Sequence, residues 1–187
     1  ALAASRMPNL LHDDEGDSIS EKNRSYCELT GQYWAWQNTD ADYYGFLHYR
    51  RYFNFSKTEY PIHHEPFIFG DVTFDRNDDE TLQRIDFNEE AMRKVITAHD
   101  FIAPEPIEAL EKTTVYEQYR DSFGHHIEDL DTVMDNIRLK YPDIWPSAQK
   151  YLNQTKVYVC NMFVMRRELF RAYSAFLFDV LSTHEKM

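Results

Sequence analysis

Asp42-Tyr43-Tyr44-Gly45-Phe46-Leu47-His48-Tyr49-Arg50-Arg51-Tyr52-Phe53 is the stretch from which the rest of the chain is read. Its first half is apolar at both alternating positions, the pattern of a strand buried on both faces, and such strands belong to the centre of a parallel sheet. Its second half turns basic, with His48, Arg50 and Arg51 at the carboxyl end. In open α/β sheets, ligands sit outside the carboxyl ends of the strands. Two guanidiniums at that end, in a chain of formal net charge -12, make a local positive site suited to a pyrophosphate or a carboxylate. The competing reading is that both arginines pair with neighbouring carboxylates and that His48 is structural.

Working outward, Ser25-Tyr26-Cys27-Glu28 fits a capping box that opens a helix. Tyr26, Leu29, Tyr33 and Trp36 then follow on one apolar face, with Trp36 in the core, and Gln37 to Asp40 end the helix. Downstream, residues 54–87 are polar, with His63, His64 and an acidic run from Asp75 to Glu80, interrupted by Phe67-Ile68-Phe69. They read as an irregular insertion or lid. Asn88 caps a helix through Ala98, ahead of a strand at 100–104. Thr114 to Tyr119 opens another helix, and a further one runs from about Glu128 to Lys140. Residues 157–165 (Val-Tyr-Val-Cys-Asn-Met-Phe-Val-Met) form a second strand buried on both faces, followed by an amphipathic helix from Arg167 to Leu181. Helices alternating with buried strands predict an α/β fold with a mainly parallel sheet. No internal repeat and no linker divides the chain.

The 187 residues are enough for one domain with a real core. A charge of -12 argues against a general nucleic-acid binder, because phosphate contacts need a basic face. Two cysteines, Cys27 and Cys160, cannot build a disulfide framework; they read as small buried hydrophobes and point to a reducing, cytoplasmic setting. No apolar run approaches the length of a membrane span. The absence of an initiating Met makes both ends read as cut ends.

Eight histidines invite a metal reading, but none has the helix-face i, i+4 spacing around a Glu. Asp40-Ala41-Asp42 has the form of a metal-binding Asp-x-Asp, yet it precedes its strand, and a solvated turn is the better reading. Asp129-Leu130-Asp131 suits a helix first turn, where acids complement the dipole. No metal site is expected. There is neither a glycine-rich phosphate loop nor a Gly-x-Ser-x-Gly elbow.

Six ordered strings then converge: Gly16-Asp17-Ser18-Ile19-Ser20-Glu21-Lys22-Asn23, Tyr26-Cys27-Glu28-Leu29-Thr30, Tyr33-Trp34-x-Trp36, Tyr44-Gly45-x-x-His48-Tyr49-Arg50-Arg51-Tyr52-Phe53, Thr114-Val115-Tyr116-Glu117-Gln118-Tyr119 and Cys160-Asn161-Met162-Phe163. Over about residues 10–182 the chain resembles a glycosyltransferase-like family of bacterial capsular and exopolysaccharide clusters, long known only as a domain of unknown function. That family usually has Asn where this chain has Ser18. It also normally begins with an upstream strand and continues with a further Arg-containing segment, so the resemblance implies that N- and C-terminal segments of the single domain are missing.

The resemblance implies a GT-A-like (Rossmann-like) fold and transfer of a hexose, with galactofuranose a candidate, from a nucleotide diphosphate sugar to a growing capsular or exopolysaccharide acceptor, lipid-linked or oligosaccharide. It places the donor at Asp17, Ser20, Asn23, His48, Arg50, Arg51 and Asn161. Glu117, Asp129 and His126 are candidates for the base that deprotonates the acceptor, Glu117 being preferred, with Tyr119 and His125 on the acceptor side. His48, Arg50 and Arg51 stand where such enzymes usually hold Asp-x-Asp and a divalent ion, so the arginines are expected to stabilise the departing diphosphate without a metal. The expected setting is the cytoplasm, with peripheral association at the inner membrane face. Two other readings stay open: a non-catalytic nucleotide- or sugar-binding module, and a metal-dependent hydrolase using the histidines.

Overall fold

The computed structural model describes residues 10–48, 50–60, 72–109 and 112–186. The aromatic run forms the strand β1 (Tyr43–Phe46), but not in the expected setting. β1 pairs with β5 (Phe163–Arg166), from Tyr43 opposite Arg166 to Phe46 opposite Phe163, and β5 pairs in turn with β2 (Phe101–Ile102). The order is β1-β5-β2. A second ladder joins β3 (Ile107–Glu108) to β4 (Lys156–Val157). The fold is mixed α/β, and the mainly parallel Rossmann-like sheet is corrected: every ladder among the described residues is antiparallel, and β5, not β1, lies between two partners. The reason is visible in β1 itself. Tyr44 is buried while Gly45 is exposed and Tyr43 half-buried, the one-sided burial of an antiparallel strand.

The face of the sheet presented by Tyr44 is covered by α8 (Arg167–His184), which also packs on α2 (Leu29–Asn38) and α6 (Ile127–Lys140). Phe170, Ser174 and Phe178 recur every four residues and make its buried stripe. Phe170, fully buried, stacks on Tyr44 at 4.0 Å between ring centroids, and Phe163 and Met165 complete this cluster. Trp36 is only half-buried at its edge, lying flat on Phe178 at 5.8 Å with Tyr33 edge-on to both.

Two elements are divided where one was expected. The helix assigned from Ser25 is split into a 3-10 turn (Ser20–Lys22) with α1 (Asn23–Tyr26), and then α2. Cys27 breaks it at φ 49, ψ -126, and Ser25 caps nothing because a helix is already under way at Asn23. The strand expected over 157–165 is likewise broken between β4 and β5, with Cys160 at φ 62. Cys27 is exposed and Cys160 only half-buried, so neither is the buried hydrophobe expected.

Within residues 54–87, Asp78 caps α3 (Asp79–Arg84) through Thr81 N, Phe55 N donates to the carbonyl of buried Ile85 at 2.9 Å, Tyr60 OH donates to Arg84 O at 2.8 Å, and the Phe55 and Phe87 rings lie 6.1 Å apart. His63, His64 and Phe67-Ile68-Phe69 lie outside the described residues. Asn88 caps α4 (Glu89–Ile96) as expected. α5 (Val115–Asp121) starts at Thr114, and α7 (Trp145–Leu152), with Pro146 in its first turn, was not expected at all. Among the described residues, no helix is long and apolar enough to cross a membrane.

Candidate functional site

Past Phe46 the chain leaves the sheet and turns. Arg51 N donates to His48 O at 3.1 Å, and the Arg51 guanidinium Nη1 lies 3.5 Å from His48 Nδ1. His48 and Arg51 are half-buried and Arg50 is exposed. The β1–β5 register ends with Phe46 opposite Phe163. Because β1 and β5 are antiparallel, the basic turn that follows β1 and Asn161, two residues before β5, both lie off this end of the ladder.

Asn161 is tied to the interior. Its Nδ2 donates to Gln32 Oε1 at 3.4 Å, and Gln32 Nε2 donates to Ser174 Oγ at 3.3 Å. Gln32 and Ser174 are both fully buried, and each removes the desolvation cost of the other by bonding it. Sequence reasoning missed Gln32. The signal was a glutamine on a helix turn otherwise lined by apolar and aromatic residues.

Before α2, Asn23 Nδ2 donates to Cys27 O at 2.9 Å and to Thr30 Oγ1 at 3.2 Å, and buried Thr30 donates to Asp13 Oδ2 at 2.7 Å. Asn23 therefore braces the amino end of α2. Cys160, directly before Asn161, holds a left-handed conformation that costs a non-glycine residue about 1–3 kcal/mol. The break before α2 and the break before β5 thus flank the two ends of the Gln32–Asn161 connection.

Asp17 and Ser20 sit differently. Asp17 accepts from Tyr33 OH at 3.2 Å, and its backbone exchanges bonds with the Asn38 side chain. This fastens it to the last turns of α2, toward the strand's amino end. Ser20 N donates to Ser18 Oγ, whose hydroxyl in turn bonds Asp13 O.

The remaining candidates gather on α5 and the start of α6. Glu117 completes a capping box: Thr114 N and Thr114 Oγ1 donate to its Oε2 at 2.8 and 2.9 Å, and Glu117 N donates to Thr114 Oγ1 at 3.2 Å. The Thr114 backbone donor, with its hydroxyl, holds this carboxyl below the usual carboxylate range. The Tyr119 and His125 rings stack at 4.4 Å. His126 is the residue before α6 and accepts a backbone bond from Asp129, while Asp129 Oδ1 lies 3.8 Å from His184 Nε2. The donor candidates and the base and acceptor candidates thus lie on different elements, with Asp17 and Ser20 apart from the other donor candidates.

Asp40 and Asp42 are exposed but paired. Arg167 donates to Ala41 O and Asp42 Oδ1, both at 2.8 Å, and Arg171 reaches Asp40 Oδ1 at 3.3 Å. A cation there would compete with two guanidiniums. Among the described residues, no group of three or more His, Cys, Asp or Glu side chains is placed to hold a metal ion.

A family model described as "Domain of unknown function (DUF4422)" matches residues 1–187. No functionally curated protein matches the chain. Among solved structures, the chain is similar to the apo structure of the bifunctional glycosyltransferase WbbM, with 33% sequence identity and a TM-score of 0.87. The match covers 93% of this chain and 30% of that one, so this chain spans less than a third of its structural relative.

Proposed function

The chain belongs to the DUF4422 family, and we propose that it is a glycosyltransferase domain. In this reading it moves a hexose, with galactofuranose a candidate, from a nucleotide diphosphate sugar to a growing capsular or exopolysaccharide acceptor. The observation that supports this most is the end of the β1–β5 ladder. From there a basic turn, with a cationic side chain at Arg50 and another at Arg51, follows β1, and Asn161, an amide held by a buried glutamine, precedes β5. That combination suits a diphosphate beside a sugar hydroxyl, in a chain similar to part of a glycosyltransferase. Asn23 braces the amino end of α2 through Thr30, two residues before Gln32, whereas Asp17 and Ser20 are tied elsewhere and would act through the loop they order.

The arginines would neutralise the charge that develops on the leaving diphosphate. Glu117 already accepts two hydrogen bonds as a helix cap, which favours Asp129 or His126 as the base that takes the acceptor proton. Tyr119 and His125 present stacked rings for the acceptor. A lipid-linked acceptor would bring the protein to the inner membrane face.

The ion pairs of Asp40 and Asp42 with Arg167 and Arg171 favour a metal-independent reaction. Sugar transfer from a panel of nucleotide sugars, run with EDTA and then with added manganese, tests it. The expected outcome is transfer that survives the chelator. Activity abolished by EDTA and restored by manganese would refute the metal-free reading. A second reading, a non-catalytic nucleotide-sugar binding module, is favoured by the cap role of Glu117, and donor binding without any turnover would select it.

A further inference from the structure

α7 and the β3–β4 ladder border a groove of about 360 Å³, lined by Ser147, Lys150, Tyr151, Gln154, Lys156 and Tyr158. This size falls within the range of small-molecule sites, about 300–1,000 Å³. Its parts are braced. Tyr158 N donates to Tyr151 OH at 3.2 Å, and Gln154 Nε2 donates to Lys156 O at 2.8 Å.

The charge of the groove runs against that of the molecule. The chain has 32 Asp and Glu against 20 Lys and Arg, and some cations elsewhere are paired, as Lys22 is with Glu185 and Lys140 with Asp179. Lys150 and Lys156 line one groove, and neither ammonium has an ion pair or hydrogen bond among the described residues. Glu108 stands opposite Lys156 in the ladder but makes no ion pair with it. Two ammoniums, two tyrosine rings, an amide and a hydroxyl are the complement of a sugar ring that bears a carboxylate. The rings cover its C–H faces, the amide and hydroxyl take its hydroxyls, and the ammoniums take its charge.

We infer that this groove binds an acidic sugar unit, a uronate, of the saccharide acceptor. The inference deepens the glycosyltransferase reading and rests on it for the choice of a saccharide. Among the described residues, no carboxylate has to be expelled from Lys150 or Lys156 for the ligand's carboxylate to bind.

The whole chain is titrated by NMR and calorimetry with a glucuronate-containing hyaluronan tetrasaccharide, its carboxyl-reduced neutral form, and inorganic phosphate. The acidic tetrasaccharide is expected to shift amides of residues 147–158 and to bind about tenfold more tightly than the neutral form. A double variant, Lys150→Gln with Lys156→Gln, should lose about the same factor while its thermal midpoint and its nucleoside diphosphate binding stay unchanged.

Equal binding of the neutral form, shifts elsewhere, an unaffected double variant, or no binding of the acidic tetrasaccharide overturns the inference. So does phosphate displacing the saccharide with equal affinity, which would make the groove a simple anion patch. Absent nucleotide-sugar binding by the wild-type chain would instead count against the glycosyltransferase reading, whatever the tetrasaccharide does.

Discussion

Gln32 is polar, fully buried and bonded on both sides, to Ser174 within the core and to Asn161 at the candidate site. Its removal should act in two ways at once. Gln32→Leu strands the Ser174 hydroxyl and should cost about 1–3 kcal/mol of stability in urea unfolding. It should also weaken nucleotide-sugar binding, because Asn161 loses the partner that orients it. Asn161→Ala should match the loss of binding with little loss of stability, since Asn161 is partly exposed. If Gln32→Leu unfolds more easily but binds the donor as before, Asn161 is not positioned through this bond. At this scale the sequence was legible where residue type and role coincide, as in the basic His48–Arg51 turn. It was not legible at Glu117. Ser25-x-x-Glu28 has a capping-box spacing just as Thr114-x-x-Glu117 does, but only the second forms one, because a helix already runs from Asn23.

Between elements, α8 is the part on which the others depend. Phe170, fully buried among Tyr44, Phe46 and Phe163, should cost about 3–5 kcal/mol on replacement by Ala. Trp36 is half-buried and stacks on one ring, so Trp36→Ala should cost less, about 2 kcal/mol. Urea midpoints of the two variants rank them, and equal losses would show that the Trp36 stack is as central as Phe170.

The α6–α8 contact adds a pH dependence. Lys140 Nζ lies 2.5 Å from Asp179 Oδ2 and Tyr141 OH donates to the same oxygen at 2.7 Å, which holds the Asp179 carboxyl below the usual carboxylate range. A carboxyl so depressed adds stability above its unfolded value and loses it as pH falls through the folded value. Thermal midpoints of Asp179→Asn should therefore fall less steeply in acid than those of the wild type, and parallel curves would remove Asp179 from the acid transition. The presence of β1 could be read from its aromatic run, but its partner direction could not. Tyrosines tolerate a half-exposed face and so mimic a strand covered on both sides. β5 was concealed in a longer apolar run that the left-handed Cys160 interrupts.

At the scale of the whole molecule, two groups of candidates hang on one scaffold. The basic turn and Asn161 lie off one end of the β1–β5 ladder and Asn23 braces the amino end of α2, while Tyr119, His125, His126 and Asp129 belong to α5, the start of α6 and the loop between them. The sequence strings named both groups, yet only the fold set Asp17 and Ser20 apart from the other donor candidates, because contacts between distant segments leave no local periodicity to read. The central claim is that the turn closed by His48 and Arg51 receives a diphosphate. Calorimetric titration of wild type and Arg50→Ala with nucleotide sugars, nucleoside diphosphates and nucleosides tests it most directly. The account predicts that Arg50→Ala weakens every diphosphate-bearing ligand by about 1.5–3 kcal/mol, the range for hydrogen bonds to charged groups, and leaves nucleoside binding unchanged. An equal loss for nucleosides and diphosphates, or no loss for either, would contradict it.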